Sequence, residues 1–132
     1  MTSPVGAKLV FICGSALRGQ PDHQNLRSAT FVRSTQTAPK YRLHSVSDGW
    51  HPGIYRTESG GVAIPGELYE MTAEQYQHLK DSEPPHMYPE TIELEDGDRA
   101  IAFLYPQALI EQYSWPDISD QGGWAAYKAG LK

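Results

Sequence analysis

The chain has 132 residues and a formal net charge of −5 at neutral pH, from 11 basic and 16 acidic side chains. This length can bury one hydrophobic core but not two, so we predict a single domain over residues 1–132. The basic residues are scattered along the chain, which argues against nucleic acid and anionic membranes as partners.

The sequence also predicts a cytoplasmic location. No apolar run is long enough to span a bilayer, and the first eight residues, MTSPVGAK, lack the pattern of a signal peptide. The single cysteine, Cys13, cannot form an internal disulfide, as is typical of a reducing compartment.

Tight turns and short strands are indicated by the composition, which includes eight tyrosines, twelve glycines and ten prolines. Such a composition favours a β-rich α+β fold. We predict strands, in chain order, at Lys8–Cys13, Ala29–Thr37, Tyr41–Ser45, Ile54–Arg56, Val62–Tyr69, Tyr88–Leu94 and Asp98–Tyr105. Because Pro65 and Gly66 interrupt the fifth of these, we expect that strand to lie at a sheet edge or to contain a bulge.

A glycine loop follows the first strand. The apolar run stops at Gly14-Ser15 and becomes polar at Arg18-Gly19. Glycine lets a ligand approach the main chain closely, and successive N–H groups in such a turn can hold a carboxylate. The loop is therefore a candidate binding site, although an ordinary turn would show the same pattern.

Helices are predicted over His23–Arg27, where Asp22 can act as the cap, from Pro106 to Gln112, and over Trp124–Lys128. The clearest helix begins at Thr72, which with Gln75 has the spacing of a capping box, and runs to about Asp81.

Glu83 lies between the end of that helix and Pro84-Pro85, where rigid backbone would hold its side chain in place. A carboxylate at the edge of an apolar pocket can act as a general base or acid near neutral pH. A glutamate in a surface loop is the alternative interpretation.

Other chemistry has little support. The five histidines show no pair at metal-ligand spacing, so we expect no metal site, and no Gly-x-Ser-x-Gly motif indicates a hydrolase. Cys13 could be a thiolate nucleophile, but a lone cysteine that closes an apolar run is more typical of a small core residue.

Three motifs together resemble the γ-glutamylcyclotransferase-like family across nearly the whole chain. They are CGSALRGQ at 13–20, GELY at 66–69, and Leu79-x-x-x-Glu83 followed by Tyr88. The resemblance implies a small mixed β-barrel with a few short helices around it, and a pocket where the glycine loop meets Glu83.

The same resemblance implies roles for individual residues. Main-chain groups of the loop would hold the polar head of a small-molecule substrate that carries a carboxylate or an amino-acid group, and Glu83 would be the catalytic base. The loop residues concerned are Gly14, Ser15, Ala16 and Leu17. Tyr88 is a further candidate for the substrate pocket, with packing or surface exposure as the alternative.

The implied reaction is release of 5-oxoproline from a γ-glutamyl amine or peptide, a transferase or lyase activity that needs neither metal nor cofactor. We expect a monomer or a homodimer. Two departures from the family pattern stand beside the site: Cys13 replaces the tyrosine of the family's loop, and Pro84-Pro85 stands where glycine is common.

A second resemblance is to the C-terminal domain of allophanate hydrolases, which shares this fold. It is carried by TAPKYRL at 37–43, PGIYR at 52–56 and the tail from Asp117 to Tyr127. This resemblance implies an accessory or decarboxylating role in urea and nitrogen metabolism. Those domains generally lack the glutamate, so Glu83 favours the cyclotransferase interpretation. A non-catalytic binding module is the third alternative.

Overall fold

A computed structural model describes residues 8–14, 16–20, 23–26, 29–47, 49–83 and 85–130. The strands in these ranges are β1 (Lys8–Ile12), β2 (Thr30–Gln36), β3 (Tyr41–Val46), β4 (His51–Arg56), β5 (Pro65–Met71), β6 (Tyr88–Glu93) and β7 (Arg99–Leu104). The helices are α1 (Ala73–Ser82), α2 (Gln107–Tyr113), α3 (Trp124–Ala129) and a 3-10 helix at His23–Leu26. The predicted α+β class is confirmed. Asp22, the predicted cap of the first helix, lies outside the described residues.

The strands form two sheets. Five of them lie in the order β2-β5-β1-β7-β6, in which β1 and β7 are parallel and the other neighbours are antiparallel. Strands β3 and β4 form a separate antiparallel ribbon. The predicted barrel is not closed along its length: in the described part of the chain, the two edge strands meet through a bridge between Thr37 and Leu94, just beyond the strand ends.

The sequence predicted that β5 lies at a sheet edge or contains a bulge, but β5 lies inside the sheet. It pairs with β2 on one side and with β1 on the other. Pro65 is its first residue, a position where the absence of an N–H is tolerated within a sheet. The irregularity expected in this strand falls instead on β2, whose register shifts between Phe31 and Arg33.

Helix α1 begins and ends as the sequence predicts. Both capping-box bonds are present: Gln75 N donates to Thr72 Oγ1 at 3.1 Å, and Thr72 N donates to Gln75 Oε1 at 2.8 Å. Leu79 buries one face of the helix in the core. Glu83 follows the last helical residue with extended backbone, and its N–H still donates to Lys80 O at 3.3 Å. The position of Glu83 is therefore fixed by the helix end.

The core contains side chains from both sheets and from helices α1 and α3. Its largest fully buried members include Trp124, Tyr41, Phe11, Leu43 and Ile54. Strand β1 enters this core with Val10, Phe11 and Ile12, so the glycine loop starts directly at the core boundary. No helix within the described ranges is both long and apolar enough to cross a membrane.

Candidate active site

A cavity of about 50 Å³ lies where β1 ends. Its walls come from four parts of the chain: the end of β1 with the glycine loop, the strand β4, the second half of β7, and the segment after α1. The polar groups and loop residues that line it are Cys13, Gly14, Ala16, His51 and Glu83. The remaining walls are apolar, so the polar groups stand in a mainly apolar pocket.

Some of the predicted site residues meet here and others do not. Glu83, Gly14 and Ala16 line the same cavity. Leu17 belongs to the hydrophobic core beside the loop, and Ser15 lies outside the described residues. Tyr88, which is 39% exposed, lines a separate depression of about 190 Å³ together with Tyr41, Tyr55 and Arg56.

The glycine loop is held to β5 by a charged anchor. Arg18 donates its backbone N–H and its Nε to the carboxylate of Glu67, at 3.1 and 2.9 Å. Tyr69 donates its hydroxyl to the same carboxylate at 2.9 Å, and the Arg18 guanidinium lies 4.0 Å from the centre of the Phe31 ring. Two residues of the GELY motif, Glu67 and Tyr69, thus fix the loop.

Burial of the Glu67 carboxyl would by itself raise its pKa. The hydrogen bonds from Arg18 and Tyr69 outweigh that effect, so the pKa of Glu67 is held below its ordinary value. The carboxylate is therefore charged at neutral pH, and the anchor is intact there.

Close packing joins the loop to β4. A Cβ atom on Gly14 would lie 2.6 Å from Cγ of Pro52, so glycine is what allows the two segments to approach. On the other side of the loop, His23 Nδ1 is 2.9 Å from Ala16 O, and because a carbonyl only accepts, Nδ1 is the donor. The approach of β4 brings His51, the neighbour of Pro52, into the cavity wall.

Cys13 lies in the cavity wall as an un-ionised thiol. Burial, and then the negative charge of Glu83, raise the pKa of Cys13 to about 12. A thiol with this pKa is not a nucleophile at neutral pH, which supports the interpretation of Cys13 as a packed core residue. The same effect shows that the charge of Glu83 reaches the end of β1.

His51 is a residue of the cavity that sequence reasoning missed. It is only 3% exposed, and its ring packs between Trp50 and Tyr105, with ring centres 5.1 and 5.7 Å away. Burial lowers the pKa of His51, an effect that its hydrogen bond to the Pro52 carbonyl opposes only in part. The imidazole is therefore neutral at neutral pH.

The cavity combines a carboxylate, a neutral imidazole and the main chain of a glycine loop. These groups can accept a proton, accept a hydrogen bond and present N–H donors to a carboxylate, respectively. Among the described residues, no group of three His, Cys, Asp or Glu side chains is arranged to hold a metal ion.

Known proteins resemble the chain over most of its length. The family model described as "Allophanate hydrolase C-terminal domain" matches residues 8–129. A urea amidolyase from Lachancea kluyveri is 26% identical over 98% of this chain, which spans only 7% of that protein. A human γ-glutamylaminecyclotransferase is 31% identical over 64% of this chain and 59% of that protein.

A solved structure has the same fold as this chain. The crystal structure of a protein specific to uropathogenic E. coli has a TM-score of 0.86 to this chain and 29% identity, covering 98% of both chains. The two resemblances seen in the sequence, to γ-glutamylcyclotransferase-like proteins and to allophanate hydrolase C-terminal domains, are confirmed by these matches. The family model covers nearly the whole chain, and the protein therefore belongs to the allophanate hydrolase C-terminal domain family.

Proposed function

We propose that the protein is an enzyme that releases 5-oxoproline from a γ-glutamyl amine or peptide, with Glu83 as the catalytic base. The observation that carries the proposal is that Glu83 lines the same cavity as Gly14 and Ala16 of the glycine loop. The likeness to a human γ-glutamylaminecyclotransferase supports the substrate class.

The loop geometry refines how the substrate would be held. Leu17 N–H already donates to Gly14 O at 3.0 Å, so it is engaged within the loop. We therefore assign the carboxylate of the substrate to the main chain around Gly14 and Ala16. The anchor formed by Arg18 and Glu67 keeps this main chain in place without entering the cavity wall.

The reaction moves two protons from the attacking nitrogen of the substrate to the leaving nitrogen. Glu83 takes the first proton from the α-ammonium group, and the freed lone pair attacks the γ-carbonyl carbon. A new ring C–N bond forms and the original amide C–N bond breaks; Glu83 returns the first proton to the leaving nitrogen, and the second proton lost by the ring nitrogen makes the released amine an ammonium ion. Because nucleophile and carbonyl belong to one molecule, folding the substrate and moving these protons are the main tasks left to the protein.

The test is 5-oxoproline release from a panel of γ-glutamyl amines and peptides by the wild-type protein and by Glu83→Gln. The substitution keeps the shape of the side chain and removes the base, so we expect the rate to fall by about a hundredfold or more. Glu95→Gln, an exposed glutamate in the turn between β6 and β7, is the matched control and should keep the wild-type rate. Equal rates for wild type and Glu83→Gln would contradict the role of Glu83.

A second candidate function is favoured by the family model and by the urea amidolyase relative. In this case the loop would hold the carboxylate of an N-carboxylated urea derivative, whose N–C bond breaks to release CO₂ while the nitrogen takes up a proton. CO₂ release that persists in Glu83→Gln, without 5-oxoproline formation, would select this function. Binding of either ligand class without turnover would indicate a non-catalytic binding module.

A further inference from the structure

We infer that His51 accepts a hydrogen bond through Nε2 from the γ-amide N–H of the substrate, which makes it the second ligand-binding side chain of the cavity. The inference rests on the proposed function, because it assigns a γ-glutamyl amide as the ligand. His51 is a buried polar side chain in the cavity wall that also contains Glu83.

The tautomer of His51 follows from its backbone contact. Nδ1 lies 2.9 Å from Pro52 O, and a carbonyl oxygen can only accept, so Nδ1 carries the proton. In a neutral imidazole the other nitrogen, Nε2, is then an acceptor with a free lone pair. Within the described ranges Nε2 has no hydrogen-bond partner, and it is not among the side-chain atoms sealed from solvent.

The charges of Glu83 and His51 decide which hydrogen-bond donor of the substrate each of them binds. Glu83 carries the negative charge of the cavity, which also raises the pKa of Cys13, and so suits the cationic α-ammonium group. His51 is neutral and suits a neutral N–H donor. Its lone pair would repel a carboxylate, so the His51 side of the cavity distinguishes an amide from an ester or a free acid.

The γ-methylamide and the γ-methyl ester of L-glutamate test this, because they differ mainly by N–H in place of oxygen. Binding is measured by titration in a Glu83→Gln background, and 5-oxoproline is followed in the same samples. We expect the amide to bind about tenfold more tightly than the ester, because the ester leaves Nε2 without a partner.

His51→Asn should remove this preference. Asparagine can still donate to Pro52 O in the manner of Nδ1, but it has no acceptor at the position of Nε2. His44→Asn is the matched control. His44 is also a buried histidine, and its Nδ1 lies 2.8 Å from the carbonyl oxygen of Trp115. Unlike His51, it does not line the cavity. This control should keep the tenfold preference.

Nitrogen chemical shifts of His51 in the ¹⁵N-labelled protein give a readout that does not depend on turnover. We expect Nδ1 to be protonated, Nε2 to be unprotonated, and the Nε2 resonance to move with the amide but not with the ester. An unchanged Nε2 resonance, failure of both ligands to bind, or an amide preference that survives in His51→Asn would overturn the inference. 5-Oxoproline release by the wild-type protein would stand as a separate result in each case, so the two proposals can fail independently.

Discussion

At the scale of single residues, Gly66 shows why the GELY motif begins with glycine. A Cβ atom at this position would lie 2.4 Å from the backbone oxygen of Ile12 and 2.5 Å from the ring of Phe11. Because the nearest atom is backbone in the paired strand β1, it cannot move away cheaply. We expect Gly66→Ala to lower the free energy of unfolding by about 1 to 3 kcal/mol, measured by urea denaturation.

Gly130→Ala is the control for this substitution. Gly130 caps α3 with ordinary helical backbone, and its added Cβ would have no neighbour closer than 3.5 Å. We expect its effect to stay within about 0.5 kcal/mol. If both variants lose the same stability, the close approach of β5 to β1 is not what requires glycine in the motif.

The sequence predicted site residues unevenly at this scale. The position of Glu83 could be predicted because it directly follows a helix whose start and length are encoded nearby in the sequence, which is local information. His51 could not, because its place in the cavity depends on the contact between Pro52 and Gly14, far apart in sequence. Tyr88 does not line the cavity of Glu83, because its strand β6 runs along a different depression. The course of that strand also depends on contacts distant in sequence.

At the scale of elements, the anchor between the glycine loop and β5 responds to pH. The folded pKa of Glu67 is lowered, so the anchor contributes fully above the ordinary carboxyl range and is lost as the pH falls through that lowered pKa. The backbone N–H of Arg18 donates to Glu67, so its amide resonance should report the titration. We expect a midpoint below that of an ordinary glutamate.

Glu67→Gln should abolish this titration of the Arg18 amide, whereas Glu95→Gln should leave it unchanged. The loss of global stability should be small, since the Arg18 side chain is 54% exposed and solvent screens the ion pair. The affinity for the ligand should decrease instead, because the glycine loop is no longer held to β5. An Arg18 amide that titrates identically in Glu67→Gln would show that another group holds the loop.

Elements with complete local signals were predicted best. Helix α1 has its start encoded in Thr72 and Gln75, and both bonds of the box form. The position of β5 is predicted wrongly because the intrinsic preferences of Pro65 and Gly66 favour a sheet edge. Its actual position depends on β1 and β2, which pair with it on both sides, and no pattern within residues 62–69 contains that information.

At the scale of the whole molecule, the cavity exists because separate sheets and a helix end converge on one loop. The ribbon contributes His51, the sheet contributes the end of β1, and α1 contributes Glu83. Periodicity in the sequence predicted these elements but not their arrangement. The expected pocket came from the family resemblance, whereas the open form of the barrel emerged only from the pairing of strands.

Closure of the five-stranded sheet at one end depends on Thr37, which is fully buried. Around it, Ala38 N donates to Glu93 O at 2.9 Å and Glu95 N donates to Gln36 O at 3.0 Å, so the ends of β2 and β6 are joined. The Thr37 hydroxyl accepts from Ile64 N at 3.0 Å and donates to Ala38 O at 2.8 Å. The hydroxyl therefore connects this junction to the segment that leads into β5.

Thr37→Val keeps the shape of the side chain but leaves the buried N–H of Ile64 without a partner. We expect it to lower the free energy of unfolding by about 1 to 3 kcal/mol and to speed hydrogen exchange at the Ile64 amide. Thr37→Ser keeps the hydroxyl and loses one methyl group, so it should cost about 0.8 kcal/mol and leave that amide protected. If the Ile64 amide exchanges equally slowly in both variants, the hydroxyl is not what connects Ile64 to this junction, and the backbone hydrogen bond from Thr37 N to Ile64 O at 3.0 Å holds the segment instead.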